Sequence, residues 1–286
     1  MNNIIAKGCI FLYKKKYTGQ FNRMSILKNI LIKATGNLLA QKILQKNIYV
    51  FQYLSGIGSG SISEHSGEKI IFKTLKKRYD PPYCIFDVGS NKGQYLRLID
   101  KHLKGNNFSA HCFEPHYISY EYLKATNKNP DVIINNIALA DEEGEKKLYY
   151  NENDSRFACL TKRRLEHHNI DLDHSQNVKI DTVDGYCSKN NINKIHLLKI
   201  DVEGHEFDVL KGAVKMFKEN KIDIIAFEFG GTGIDTKIFL QDFYYFFKNY
   251  NKTLYRITPS GYLYKIDKYN EMLEQFRTTN FIALGS

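Results

Sequence analysis

Two short stretches hold most of the groups that could do chemistry. In Leu197-Leu-Lys-Ile-Asp-Val-Glu-Gly-His-Glu206 an apolar run releases Asp201, Glu203, His205 and Glu206 within six residues. Carboxylates and an imidazole so placed are candidate bases for taking a proton from a substrate hydroxyl. Glu206 falls in a first helical turn, where an acid also complements the helix dipole, and any one of the four could serve that way. The other stretch, Cys84-Ile-Phe-Asp-Val-Gly-Ser-Asn-Lys-Gly93, runs from β-prone residues into Asp87-x-Gly89-x-Asn91-x-Gly93. Glycines at such a turn let backbone approach a ligand closely and aim helix N–H groups at it.

Further along, Glu114 ends a second apolar run 21 residues after Gly93. Its two acceptor oxygens match a vicinal diol such as a ribose, while capping the next helix ahead of Pro115 is the competing use. Asn136 and Ile137 follow on a third run, placed to meet the polar edge and the face of a base. A dinucleotide fingerprint starting at Gly89 needs glycines at 91 and 94, where Asn91 and Gln94 stand, so that reading is weak. An ordinary strand-turn-helix corner with Asp87 as a cap stays open on these residues alone.

The elements that must position these groups alternate from Tyr83 onward. Strands are expected at 83–88, 108–113, 131–138, 178–181, 195–200 and 222–229, with helices at 92–104, 117–126, 205–219 and 236–250 and further strands near 253–258, 261–266 and 280–284. Lys146 to Tyr150 reads as a hairpin return. This is an α/β pattern with a doubly wound, mostly parallel sheet, whose ligands sit at the carboxyl ends of the strands. Residues 151–177, with Arg156, Lys162, Arg163, Arg164, His167, His168 and His174, show no clean period and read as a loop-like insertion. Residues 1–54 carry apolar residues at helical spacing between lysines, Gly56 to Ser63 break the pattern, and 67–79 form another basic helix. The chain thus divides into a basic helical extension with its loop, 1–66, and a main domain, 67–286.

The 286 residues carry a net charge of +10, and residues 1–80 alone hold 14 Lys/Arg against 3 Asp/Glu. Such a segment suits an anionic membrane surface, an acidic glycan or a partner, with solvated helix faces as the plain alternative. No apolar run reaches the ~18 residues that span a bilayer. Five dispersed cysteines without CxxC pairs indicate neither a disulfide framework nor a zinc site, and fit a reducing cytoplasm.

Ile85-Phe-Asp-Val-Gly-Ser-Asn-Lys-Gly93, Phe113-Glu-Pro115, Asn136-Ile-Ala-Leu-Ala-Asp141, Leu198-Lys-Ile-Asp-Val-Glu-Gly-His-Glu206 and Phe227-Glu-Phe229 resemble the successive motifs of the FkbM family of methyltransferases. The resemblance covers about residues 83–230 and does not extend to the first 55. It implies a Rossmann-like class I methyltransferase that uses S-adenosylmethionine to O-methylate a hydroxyl, commonly on a sugar. By motif, Asp87, Gly89, Asn91, Gly93 and Glu114 would line the cofactor, and Asp201, Glu203 and His205 the transfer site. Related enzymes hold Mg²⁺ on carboxylates at the places of Asp201 and Glu228; two carboxylates fall far short of a ligand set, and the expectation is a metal-independent reaction. The implied acceptor is a sugar of a bacterial surface polysaccharide or its precursor, in the cytoplasm or peripherally at the inner membrane. Tyr244, Tyr245, Tyr250, Tyr255, Tyr262 and Tyr264 are candidates to stack on it, with core packing as their competing job. Methylation of RNA is disfavoured, since no RNA-binding module is present and the positive charge lies outside the catalytic core. A non-catalytic protein with the same fold is the other alternative.

Overall fold

The computed structural model describes residues 26, 28–60, 66–151 and 154–285. The chain forms two compact units, Met1–Gln52 and Tyr53–Ser286. The larger unit therefore begins at Tyr53, inside what the sequence assigns to the extension; there Gly60 N donates to Thr278 O at 3.0 Å and Ser59 and Ser66 are buried.

In the first unit a helix over 28–35 (α1) is followed by α2 (Leu38–Leu54), none of whose residues is buried. Asn37 starts α2 by accepting from Ala40 N at 2.9 Å, the usual service of an asparagine N-cap. Among the described residues no helix is long and apolar enough to cross a membrane.

The second unit opens with α3 (Lys69–Arg78), which buries Ile71, Phe72 and Leu75 and leaves its lysines outside. Alternation then follows as β1 (Tyr83–Val88), α4 (Gln94–Leu103), β2 (Phe108–Phe113), α5 (Tyr117–Thr126) and β3 (Val132–Asn135). The chain leaves the main sheet through β4 (Ala138–Leu139), β5 (Gly144–Asn151), β6 (Asp154–Cys159) and β7 (His174–Asp181), and re-enters it after α6 (Val183–Lys189). The return is β8 (Ile195–Ile200), α7 (Glu206–Lys211), α8 (Val214–Lys218), β9 (Ile222–Phe229), α9 (Thr232–Thr236), α10 (Leu240–Asn249), β10 (Lys252–Ile257), β11 (Leu263–Lys265) and β12 (Thr279–Gly285).

The main sheet has the order β11-β10-β12-β9-β8-β1-β2-β3. The five strands β3, β2, β1, β8 and β9 are parallel, and β12, β10 and β11 continue antiparallel. This is the doubly wound α/β fold expected from the alternation. Its chain path leaves β1 toward β2 on one side and returns to β8 on the other, so a crevice opens at the carboxyl ends of β1 and β8. Central strands are apolar on both faces because helices cover both: Phe86, Leu198, Ile200 and Phe227 join the cluster under α7, α8 and α10, while Ile85, Leu197 and Ile224 join that under α3 and α4. Each such side chain contributes about 1.5–3 kcal/mol of burial.

The strand expected over 131–138 is two, β3 in the main sheet and β4 in a second sheet, and two larger expectations are corrected as well. Residues 151–177 are not simply a loop, since β6 and the start of β7 lie there in a second sheet of order β4-β7-β5-β6. These strands are exposed on one side and bury a small cluster of Cys159, Leu165 and Leu172, too sparse to give a local period. The helix expected over 205–219 is two helices, α7 and α8, with Gly212 and Ala213 between them; Gly212 lies so close to the Ala140 carbonyl that a side chain there would collide with it.

Candidate active site

The turn after β1 is built on residues that tolerate positive φ: Gly89 at 85°, Asn91 at 45° and Gly93 at 75°. A Cβ at Gly89 would collide with the Asp201 carbonyl, so this turn and the loop after β8 pack backbone on backbone. Gly89 N and Ser90 N donate to Phe113 O, at 3.0 and 3.1 Å, which joins the end of β2 to the same turn. Asn91 N then donates to Glu114 Oε2 at 2.7 Å and His116 N to Oε1 at 2.8 Å. Burial raises the Glu114 carboxyl to about 7 in spite of those two N–H groups. Asn136 Nδ2 donates to the carbonyls of Glu114 and Pro115, at 2.9 and 3.1 Å, and half-buried Ile137 packs on the core beside it. The expected cofactor residues thus form one connected rim.

Asp87 lies beneath the rim, 1% exposed, and among the described residues its Oδ2 has no hydrogen-bond partner. Burial pushes its carboxyl up to about 6, with Lys199 opposing. Lys199 is its register neighbour on β8 and is itself buried, with Nζ 3.4 Å from Asp201 Oδ2 and 5.5 Å from the centre of the Tyr95 ring. Burial works against the Lys199 charge, but the carboxylates of Asp201, Glu68, Glu228 and Asp87 outweigh it and hold the ammonium above the usual lysine range. Burial raises Glu68 as well, and the Tyr95 hydroxyl is a second buried group with no partner among the described residues. Neither Glu68 nor Lys199 was singled out from sequence. A lysine inside the run Leu197-Leu-Lys-Ile was a legible signal, because buried lysines are almost always paired; Glu68 had none.

The loop after β8 separates the four polar residues found by spacing. Glu206 is buried and accepts from Val202 N at 3.1 Å and Gly204 N at 3.0 Å, so it braces the loop. His205 is held at both nitrogens, Nδ1 by Asp208 Oδ2 at 2.7 Å and Nε2 by Thr161 Oγ1 at 3.0 Å. Asp201 is the most open, 44% exposed at its side chain. Glu203 sits at φ 56°, a left-handed conformation rare for glutamate, and its carboxyl is raised to about 8 by burial and by Asp201 against the pull of Arg163. Burial, then Asp201 and Glu203, push Glu228 well above the ordinary carboxylate range. Among the described residues no three His, Cys, Asp or Glu side chains converge as metal ligands.

The segment between β6 and β7 reaches across this loop. Arg163 Nη1 meets Glu203 Oε2 at 2.7 Å and its Nε meets Asp235 Oδ2 at 3.3 Å, with the guanidinium side chain only 8% exposed. Ser155 Oγ donates to Asn91 Oδ1 at 3.3 Å, so the insertion touches the turn after β1, the loop after β8 and α9 together. The charge of Arg163 is visible in the sequence; its partners, 40 and 72 residues away, are not. Of the tyrosines, Tyr244 and Tyr250 pack on the core, whereas Tyr245, Tyr262 and Tyr264 are exposed.

A family model described as the methyltransferase FkbM domain matches residues 87–257. The hexuronic acid methyltransferase AglP of Haloferax volcanii is 24% identical over 178 residues, 62% of this chain and 67% of that protein. Among solved structures, the methyltransferase FkbM from Methylobacillus flagellatus KT is similar over 83% of this chain and 59% of its own, at 15% identity and a TM-score of 0.44. This chain therefore spans about three-fifths of that relative's length. The plantazolicin methyltransferase BpumL in complex with SAH is similar over 88% of this chain and 92% of its own, at 9% identity and a TM-score of 0.37.

Proposed function

The chain belongs to the FkbM methyltransferase family, and from that premise we propose that it uses S-adenosylmethionine to O-methylate a sugar hydroxyl of a bacterial surface polysaccharide or its precursor. The observation that carries this reading is the convergence of three elements on one turn. Glu114 is tied to Asn91 at 2.7 Å, and Gly89 packs on the backbone of Asp201. A diol acceptor and an acid-bearing loop thereby flank a glycine turn at the carboxyl ends of β2, β8 and β1.

The residues fit the cofactor. The unpartnered Oδ2 of Asp87 is a buried acceptor suited to an ammonium, the Glu114 carboxylate suits the ribose hydroxyls, and Asn136 with Ile137 suits the adenine. When bound, S-adenosylmethionine supplies an electrophilic methyl group on a sulfonium. The chain's own part is to hold the acceptor hydroxyl in line and to take its proton on a carboxylate oxygen of Asp201 or Glu203. His205, held by Thr161 and Asp208, orients this loop rather than acting as a free base. The reading favours a metal-independent reaction; activity that EDTA abolishes and Mg²⁺ restores would move Asp201 and Glu228 into an ion site.

Support for a sugar acceptor comes from the likeness to AglP, whose name gives a hexuronic acid as its substrate. The reading includes a cytoplasmic location, which suits the free thiols of Cys84, Cys112, Cys159 and Cys187, and peripheral contact with a membrane through the N-terminal unit. Titration calorimetry tests the cofactor: S-adenosylmethionine is expected to bind the protein and to lose affinity with Asp87→Ala. Heat indistinguishable from dilution with the unsubstituted protein would sink the proposal. Mass spectrometry of surface glycans from cells with and without the protein is expected to show a difference of one CH₂ per modified sugar.

A further inference from the structure

The first 52 residues contain nine Lys/Arg and no Asp/Glu. In α2, with successive residues about 100° apart around the axis, Leu39, Ile43, Leu44, Ile48 and Val50 fall on one half of the circumference. Gln41, Lys42, Gln45, Lys46 and Gln52 fall on the other, which also carries exposed Leu38 and Tyr49. The apolar five are not covered: they are 70%, 54%, 40%, 48% and 45% exposed. The one polar residue in the middle of that half, Asn47, donates its Nδ2 to Ile43 O at 2.9 Å and so is partly satisfied by the helix itself. The shorter α1 repeats the chemistry, with exposed Ile30, Leu31 and Ile32 between Lys28 and Lys33.

We propose that α2, assisted by α1, lies in the plane of an anionic lipid surface, its apolar half in the acyl boundary and its lysines among the headgroups. A face this broad is not stable against water by itself, and the lysines on the opposite side match an interfacial rather than a spanning helix. Charge selects the occupant. A second copy of the unit would bring like charges together with no acid in either partner to offset them, whereas anionic headgroups supply the missing sign. Lysine stems extend along the apolar boundary and place the ammonium in the headgroup layer. The inference rests on the peripheral-contact part of the reading above and is independent of the acceptor's chemistry. For an acceptor carried on a lipid, its consequence is a raised local concentration of enzyme where that acceptor resides.

Flotation of the full chain with vesicles tests it, using phosphatidylcholine alone and phosphatidylcholine mixed with phosphatidylglycerol. Binding is expected to the mixed vesicles and not to the neutral ones, and to weaken as salt is raised. The double substitution Ile43→Asp with Ile48→Asp is expected to reduce binding by about a hundredfold or more, the scale for two isoleucines withdrawn from an apolar phase. Lys42→Glu with Lys46→Glu should also reduce it and leave the apolar half intact. The proposal is overturned by a lack of binding to mixed vesicles, by equal binding to neutral ones, or by indifference to both double substitutions. It is also overturned if light scattering finds a dimer that the isoleucine substitutions dissociate. S-adenosylmethionine affinity, measured on the same proteins in solution, is expected to be unchanged by either pair. Its absence from the unsubstituted protein would sink the methyl-transfer reading while leaving the flotation result to decide this one.

Discussion

Replacing Arg163 by Gln removes the cation that pairs with both Glu203, in the loop after β8, and Asp235, in α9. At an effective dielectric of about 20, the gross attractions at the observed distances of 2.7 and 3.3 Å are about 6 and 5 kcal/mol. Most of that is offset by the cost of taking the charges out of water, so the net loss is set by what remains unpaired. A fully buried ion left without its partner costs about 3–5 kcal/mol. The Glu203 and Asp235 side chains are 25% and 18% exposed, and solvent screens part of this, which brings the expectation to about 2–4 kcal/mol. For a unit of this size that is a fall in Tm of roughly 5–15 °C. A second readout is tied to the chemistry. Glu203 acts as a base only when ionised, so with Glu203 as the base the rate rises with pH as its carboxyl, near 8, loses its proton. Arg163 favours the ionised form, and without it this rise is expected at higher pH, by about one pH unit or more. Thermal melts followed by circular dichroism and initial rates across pH measure both effects. Arg163→Lys should fall between, since an ammonium lacks the planar fork that serves two carboxylates. A Tm within 1 °C of the unsubstituted protein, together with an unmoved pH profile, would refute the clasp and its influence on Glu203 alike.

Gly89→Ala should cost more than about 2 kcal/mol in a denaturant titration, because the left-handed backbone alone disfavours alanine by ~1–2 kcal/mol and the new Cβ meets the Asp201 carbonyl. An unchanged midpoint would mean that the turn is not built as described. Glu114→Gln is expected to weaken S-adenosylmethionine binding by at least about tenfold, the range of a lost charged hydrogen bond. In the unsubstituted protein, affinity should rise as pH rises through about 7, where the Glu114 carboxyl ionises; calorimetry at several pH values checks both. Asp208 is held at about 2: burial alone would raise it, and the hydrogen bonds and charges of His205 and Lys211 overcome that. Its folded value lies below its unfolded one, so it contributes about 2 kcal/mol that is fully present above pH ~4 and is lost as pH falls toward 2. Asp208→Asn should therefore flatten the acid limb of the stability curve, and an unaltered limb would count against the His205–Asp208–Lys211 cluster.

Elements whose requirements are local are written in the order of residues. The turn at Asp87 to Gly93 is legible because only certain residues accept positive φ and close backbone approach. The acids at 114 and 201–206 are legible because each follows an apolar strand. Helices and strands of the alternating core follow from their periods, and the lack of acids before residue 53 is plain in the composition. Whatever depends on neighbours remote in the chain emerges only on folding. Parallel pairing in register sets Lys199 beside Asp87, and burial brings Glu68, from before α3, to the same group. Pairing of β5 with β7 turns a polar stretch into sheet, and so carries Arg163 to Glu203 and Asp235. Within the acid cluster, spacing could not separate a loop brace from a base. Glu206 is buried and takes two backbone N–H groups, whereas Asp201 stays open. A residue's type and spacing fix its own conformational and chemical capacity, but burial and the partner charges that set its protonation are properties of the folded surroundings.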